Sequence, residues 1–288
     1  MKEIIFKGCA TALVTPFSGG KIDYSALERL IDVQIKAGVG ALVIGGTTGE
    51  AATLSDRERY TLFEFSAERV NKKVPLIFGT GTNDTRVAIE HTKAAARIGC
   101  DGALVVTPYY NKGTEEGIYS HYMKLANATE LPIIVYNVPS RTGVNLGLGL
   151  LSRLAECERI VGIKEASDSA ERLVNLAAFG DALPLYAGND SAAYTVLALG
   201  GKGVISVASN LYPEKLSQLC QSFFAGEYET AKALQLELLP LIGALFAETN
   251  PSPVKYAMSL LGICNSEVRL PLSEPRESTK EMLRKVVS

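Results

Sequence analysis

Ile160-Val161-Gly162-Ile163-Lys164-Glu165-Ala166 is a short aliphatic run that ends in a lysine and a glutamate. Its apolar residues are continuous rather than alternating, which marks a strand buried on both faces, as in a parallel sheet. Upstream and downstream the same pattern recurs. Ala10 to Thr15, Ala41 to Gly45, Pro75 to Gly79, Ala103 to Thr107, Pro132 to Tyr136, Pro184 to Ala187 and Val204 to Val207 join Val161 to Lys164 to make eight such runs. Between them lie stretches of helical periodicity with explicit boundary signals. Asp23 precedes Leu27, Leu30, Ile31, Val33 and Ile35, with Gly38 closing the segment. Ser55-Asp56-Arg57-Glu58 has the capping-box pattern, and Pro213 suits the first turn of a helix.

Strand–helix units repeated eight times, about 20 to 35 residues apart, predict an α/β fold, a (β/α)8 TIM barrel, for which ~250 residues is typical. A doubly wound Rossmann sheet is the alternative. It would want a GxGxxG turn after the first strand, and Cys9-Ala10-Thr11-Ala12-Leu13-Val14-Thr15-Pro16 contains none. After Gly226 there are no strand signals, only amphipathic segments expected to break at Gly243, Asn250-Pro251 and Gly262. The expected organisation is a catalytic barrel over residues 1–225 and a C-terminal helical domain over residues 226–288.

The 288 residues include 29 basic and 31 acidic side chains, a net charge of -2, so no electrostatic footprint for nucleic acid or an anionic membrane exists. A small molecule is the expected partner. Cys9, Cys100, Cys157, Cys220 and Cys264 are odd in number and never form CxxC, which reads as buried thiols in a reducing compartment. The N-terminal Met1 to Gly8 has no long apolar region, and no stretch reaches the ~18 apolar residues of a membrane span. The expected location is the cytoplasm.

Barrel chemistry sits at the C-terminal ends of the strands. Lys164 is the only lysine within any of the eight apolar runs, where desolvation lowers its pKa and frees an amine to attack a carbonyl. A structural lysine paired at the rim is the competing reading, but alternation points Glu165 away from Lys164. Gly45-Gly46-Thr47-Thr48-Gly49-Glu50 offers backbone and hydroxyl donors to a carboxylate, or is simply a tight turn. Thr107-Pro108-Tyr109-Tyr110-Asn111 and Tyr136-Asn137-Val138-Pro139-Ser140-Arg141-Thr142-Gly143 bring tyrosines that relay protons or pack, and an arginine that grips carboxylates. His91 and His121 have no metal-ligand spacing and read as surface or packing residues. There is no GxSxG elbow and no Walker A loop. Gly200-Gly201 precedes the eighth strand, the wrong end for a sugar-phosphate site.

Taken in order, Gly46-Thr47-Thr48-Gly49-Glu50, Thr107 to Asn111, Tyr136 to Gly143, Gly162-Ile163-Lys164-Glu165-Ala166 and Gly203-Val204-Ile205-Ser206-Val207 resemble the 4-hydroxy-tetrahydrodipicolinate synthase family. The likeness extends from Gly8 into the tail, through Asn250-Pro251-Ser252-Pro253-Val254-Lys255 and Arg269-Leu270-Pro271-Leu272. It implies a class I lyase that condenses pyruvate with L-aspartate 4-semialdehyde on the route to diaminopimelate and lysine, with no metal or organic cofactor. By position it implies that Lys164 forms the imine and that Thr47, Tyr110 and Tyr136 relay protons, Tyr110 across a dimer interface. Thr48 would bind the pyruvate carboxylate, Arg141 the semialdehyde carboxylate, and Gly188 and Ile205 would shape the pocket. A homotetramer, a dimer of dimers, is the implied assembly.

The wider superfamily includes N-acetylneuraminate lyases and sugar-acid aldolases, which the resemblance separates from the synthases by Arg141. A non-catalytic pyruvate or sugar-acid sensor is the non-enzyme alternative. The feedback site of lysine-inhibited synthases typically carries histidines where this chain has Asp56 and Arg59, and a glutamate where it has Val87. Asn83 and Tyr109 do match. Without the counter-charge an effector ammonium is costly to bury, so weak or absent inhibition by lysine is expected.

Overall fold

The aliphatic runs close on themselves. In the computed structural model, which describes residues 2–167 and 169–287, they become β1 (Gly8–Ala12), β2 (Ala41–Ile44), β3 (Leu76–Gly79), β4 (Gly102–Val106), β5 (Ile133–Asn137), β6 (Ile160–Glu165), β7 (Leu185–Ala187) and β8 (Gly203–Ser206). Each pairs in parallel with its neighbours, and β1 pairs with both β2 and β8. A closed parallel barrel excludes the open Rossmann sheet.

The helices that return the chain are α1 (Tyr24–Lys36), α2 (Asp56–Val70), α3 (Thr85–Ile98), α4 (Glu115–Ala128), α5 (Leu148–Ala155), α6 (Ala170–Ala177), α7 (Ala193–Ala198) and α8 (Pro213–Phe224). Their starts follow local chemistry. The Asp23 side chain accepts from the Ala26 amide, Ser55 and Glu58 cap α2 reciprocally, and Pro213 opens α8.

Inward side chains from every strand, among them Ala10, Val43, Ile77, Leu104, Ile134, Tyr186 and Ile205, fill the barrel interior. A larger core, including Leu42, Phe78, Val135, Ile163 and Val204, lies between the strands and the helices. Burial on both faces is what made the strands continuously apolar. His91 and His121 are both buried packing residues, neither on the surface. His91 meets Asp56 at 3.1 Å and His121 meets Thr85 at 2.9 Å.

Two boundaries depart from expectation. The first strand begins at Gly8, whose amide donates to the Lys202 carbonyl at 2.9 Å, and stops at Ala12 rather than Thr15. Thr15 instead donates to the Gly49 carbonyl, and Pro16 leads into a two-residue antiparallel hairpin, Phe17–Ser18 with Lys21–Ile22. In the tail, α9 (Tyr228–Leu245) runs straight through Gly243, where a break was expected. Pro240 and Gly243 both lie on its exposed side, and burial of Leu238, Leu241, Ile242 and Leu245 outweighs their poor helix propensity. Two more helices, α10 (Ser252–Leu260) and α11 (Glu277–Val286), complete the chain. Among the described residues no helix is long and apolar enough to cross a membrane.

Candidate active site

Lys164 owes its direction to an irregularity in β6. Ile133 pairs with Ile160, but the next residue, Ile134, pairs with Gly162, so Val161 is an extra residue. Such a bulge resets the alternation and re-aims the side chains beyond it. Val161 faces the barrel interior and Ile163 the outer core, which leaves Lys164 facing inward beside its register partner Tyr136. Gly162 is required at the bulge, since a Cβ there would sit 2.8 Å from the Pro184 carbonyl and 3.1 Å from the Tyr186 ring. Glu165 points away, as alternation predicts. Its carboxylate is held by Arg172 Nε at 2.8 Å and by Asn137 Nδ2 at 2.9 and 3.0 Å.

A cavity of about 400 Å3 opens over Lys164 at the C-terminal ends of the strands. The Lys164 ammonium lies 4.3 Å from the centre of the Tyr136 ring. Burial pulls its pKa down to about 7, opposed by the Asp190 carboxylate and aided by the Arg141 cation. A substantial fraction of this amine is therefore neutral near pH 7. Burial raises the Tyr136 phenol above its ordinary value, while Arg141 and a hydrogen bond with Thr47 act the other way.

The threonine pair is tied to the tail. Thr48 is buried, and its hydroxyl accepts from Asn250 Nδ2 at 2.9 Å. The backbone carbonyl of the same Asn250 accepts from Arg141 Nη2 at 3.2 Å. One asparagine thus joins the carboxylate-binding candidate to the guanidinium at the mouth. Leu239, Ile242 and Gly243 of α9, and Phe246 just after it, line the same cavity. A neighbouring cavity of about 440 Å3 shares Thr47, Tyr136, Arg141 and Asn250 with it.

Of the eight residues singled out in the sequence, Lys164, Tyr136, Thr47, Thr48, Arg141 and Gly188 line this cavity. Gly188 forms part of its floor, where a Cβ would meet Ala166 Cβ and the Glu165 carbonyl at 2.7 Å each. Ile205 does not reach the wall. Its side chain is spent in the barrel interior, and Val207 lines the cavity instead. Tyr110 also stands outside, 87% exposed and with a left-handed backbone at φ 76.

Sequence reasoning missed Asn250 and Asp190. Asp190 is the third residue beyond β7, so the rule that barrel sites follow strand ends pointed to it. Asn250 carried no such signal, because a residue after the last strand is brought to the rim only by tertiary packing. A larger open groove of about 840 Å3, near Lys72, Leu76 and Asp101, lies at the N-terminal ends of β3 and β4, the rim opposite the one that carries chemistry. Among the described residues no three His, Cys, Asp or Glu side chains converge as a metal ion would require.

The sequence and the fold have close relatives. The model of the dihydrodipicolinate synthetase family matches residues 5–288. The 4-hydroxy-tetrahydrodipicolinate synthase of Thermotoga neapolitana is 47% identical over 289 residues, covering 98% of each chain. That of Thermodesulfovibrio yellowstonii is 47% identical over 284 residues, again 98% of each. The crystal structure of dihydrodipicolinate synthase from Thermotoga maritima superposes with a TM-score of 0.96 at 42% identity, covering 99% of this chain and 98% of that one. The chloride-inhibited enzyme of Acinetobacter baumannii, complexed with pyruvate, gives 0.95 at 43% identity, with 98% and 97% covered. The chain therefore belongs to the dihydrodipicolinate synthetase family.

Proposed function

We propose that this protein is a lyase that condenses pyruvate with L-aspartate 4-semialdehyde to 4-hydroxy-tetrahydrodipicolinate, in diaminopimelate and lysine biosynthesis. The observation that carries the proposal is Lys164, a buried amine with a pKa near 7 beside Tyr136 in a cavity whose mouth holds Arg141.

The neutral Lys164 amine attacks the keto carbon of pyruvate, and the pyruvate carboxylate rests on Thr48. Loss of water from the carbinolamine leaves a cationic imine, with protons moved through Tyr136 and its hydrogen-bonded Thr47. Loss of a methyl proton converts the imine to a neutral enamine. Its carbon bonds to the aldehyde carbon of the semialdehyde, whose carboxylate Arg141 receives, and the aldehyde oxygen takes a proton. The amine of the second substrate then closes the ring on the imine carbon and releases Lys164. The cationic imine is itself the electron sink, so the scheme calls on no cofactor.

Tyr110 completes the relay in a second copy of the chain, which accounts for an 87% exposed tyrosine in a strained backbone at the rim. We further propose a homotetramer built from two such dimers, a cytoplasmic location, and a division into a catalytic barrel (1–225) and a helical domain (226–288) that completes its mouth. Arg141 favours the short, carboxylate-bearing aldehyde over the polyhydroxylated substrates of neuraminate lyases.

Borohydride reduction with pyruvate, followed by peptide mass mapping, tests the reading. A stable adduct on Lys164 is expected, and turnover with aspartate semialdehyde but not with N-acetylmannosamine. Absence of an adduct on folded protein would return the sensor reading to first place.

A further inference from the structure

Asp190 is a carboxylate that the scheme above leaves unused. It is 1% exposed and lines the same cavity as Lys164 and Tyr136. Its Oδ2 accepts from the amides of Val207 at 3.0 Å and Ala208 at 3.2 Å. Its Oδ1 is buried with no hydrogen-bond partner. Leaving a buried charged acceptor unsatisfied is costly, so an oxygen kept in that state on a residue that lines the Lys164 cavity calls for an explanation.

We propose that Asp190 is a positioning residue whose unpaired Oδ1 supplies the counter-charge for the cationic imine formed on Lys164. The proposal rests on the imine chemistry argued above. When the carbinolamine loses water, its hydroxyl takes a proton and leaves with the C–O electron pair, the nitrogen lone pair forms the second bond to carbon, and Nζ becomes cationic in a buried cavity. A fixed negative charge offsets that cost, and the advantage ends when the imine loses a methyl proton and its nitrogen becomes neutral. The carboxylate cannot turn away, because two successive amides in the turn after β8 hold its other oxygen.

The groups around it leave this task to Asp190. The charges of Lys164 and Asp190 act on one another, and Arg141 is a second cation acting on Lys164. Tyr136 and the two cysteines near Asp190, Cys9 on β1 and Cys220 on α8, are all pushed up by burial and stay protonated. Burial raises the Asp190 carboxyl above its ordinary value, while the Ser206 hydroxyl, the amides of Val207 and Ala208 and the Lys164 cation act the other way and favour the carboxylate. Asp190 is the carboxylate whose charge acts on Nζ, and the cation that forms there in turn favours its ionised form.

The test is borohydride trapping with pyruvate across pH in the wild type and in Asp190→Asn, which keeps the shape and an acceptor for the two amides. With the charge gone, the pH at which trapping reaches half its plateau falls by about one unit and the pyruvate concentration for half-trapping rises on the order of tenfold, the equivalent of one pKa unit. Asp190→Ser is the second variant should the first fail to fold. A folded variant with an unchanged pH midpoint overturns the proposal, even if its turnover is slower, since that is the behaviour of a merely structural residue. A wild type that traps no pyruvate overturns the imine reading itself.

Discussion

Lys255 and Glu50, 205 positions apart, form an ion pair in which both side chains are wholly excluded from solvent, with Nζ 2.5 Å from Oε1. The pair is fully coordinated. Lys255 also donates to the Glu267 carbonyl at 2.7 Å, and the second Glu50 oxygen accepts from the Arg269 amide at 2.9 Å. Glu50 directly follows the Thr47-Thr48-Gly49 turn, so the tail grips the loop that carries the threonines. Removing one partner strands a buried charge, and Lys255→Met should cost about 3–5 kcal/mol in denaturant unfolding. Adding Glu50→Gln should recover part of that loss. Equal stability of the single and double variants would show that the pair is not coupled.

Lys164 makes the fold less stable than it need be. Its folded pKa of about 7 lies below the ordinary 10.5, so between these values the unfolded chain holds a proton that the native state has lost. Stability therefore rises with pH across that window, and below pH 7 the full cost of burying the cation is present. Lys164→Met should accordingly unfold at higher denaturant than the wild type at pH 6, with the gap closing towards pH 10. The variant should trap no pyruvate at any pH.

Arg141 and Asn250 should separate the two substrates. Arg141→Lys loses the planar fork, so KM for the aldehyde should rise about 10- to 100-fold while pyruvate trapping is unchanged. Asn250→Ala should do the reverse and weaken pyruvate binding with little effect on the aldehyde, because it removes the side chain that holds Thr48 and keeps the backbone carbonyl that holds Arg141. Steady-state kinetics with each substrate varied in turn distinguishes the two patterns.

Gly188→Ala places a methyl group 2.7 Å from both Ala166 Cβ and the Glu165 carbonyl. Neither neighbour is the end of a flexible chain, so about 1–3 kcal/mol of stability should be lost, together with affinity for pyruvate. Thermal unfolding and pyruvate titration check the two effects. Unchanged values for both would mean that the floor of the cavity yields.

L-Lysine should inhibit weakly or not at all. Arg59 is buried and spends its guanidinium on the carbonyls of Ala51 at 2.6 Å and Gly79 at 3.4 Å, and Val87 offers no carboxylate to an effector ammonium. A lysine titration of initial rates checks this, and inhibition at sub-millimolar lysine would contradict it.

The barrel was legible because strands buried on both faces announce themselves as aliphatic runs. The site was legible in part for the same reason, since Thr47, Tyr136 and Lys164 each stand at or near the end of such a run. Other features depended on partners far along the chain. Alternation counted from inward-facing Val161 would have put Lys164 on the outside, and only the pairing with Ile134 reveals the bulge that turns it in. Gly243 signalled a break that packing against the barrel overrode. Asn250 was marked only as a break before Pro251 and not as a site residue, because its role arises where the tail meets the rim.

The attachment of Asn250 to Thr48 and Arg141 bears on when the protein becomes reactive during its synthesis. A chain growing from its N-terminus has all eight strands, and with them the proposed nucleophile Lys164, once Ser206 is made, before Asn250 or any of α9 exists. The nascent barrel would expose that amine through an unroofed opening to any small carbonyl compound in the cell. On the proposed assignment selectivity arrives with α9, Asn250 and Lys255, so the segment made after the barrel is the one that admits the right substrate.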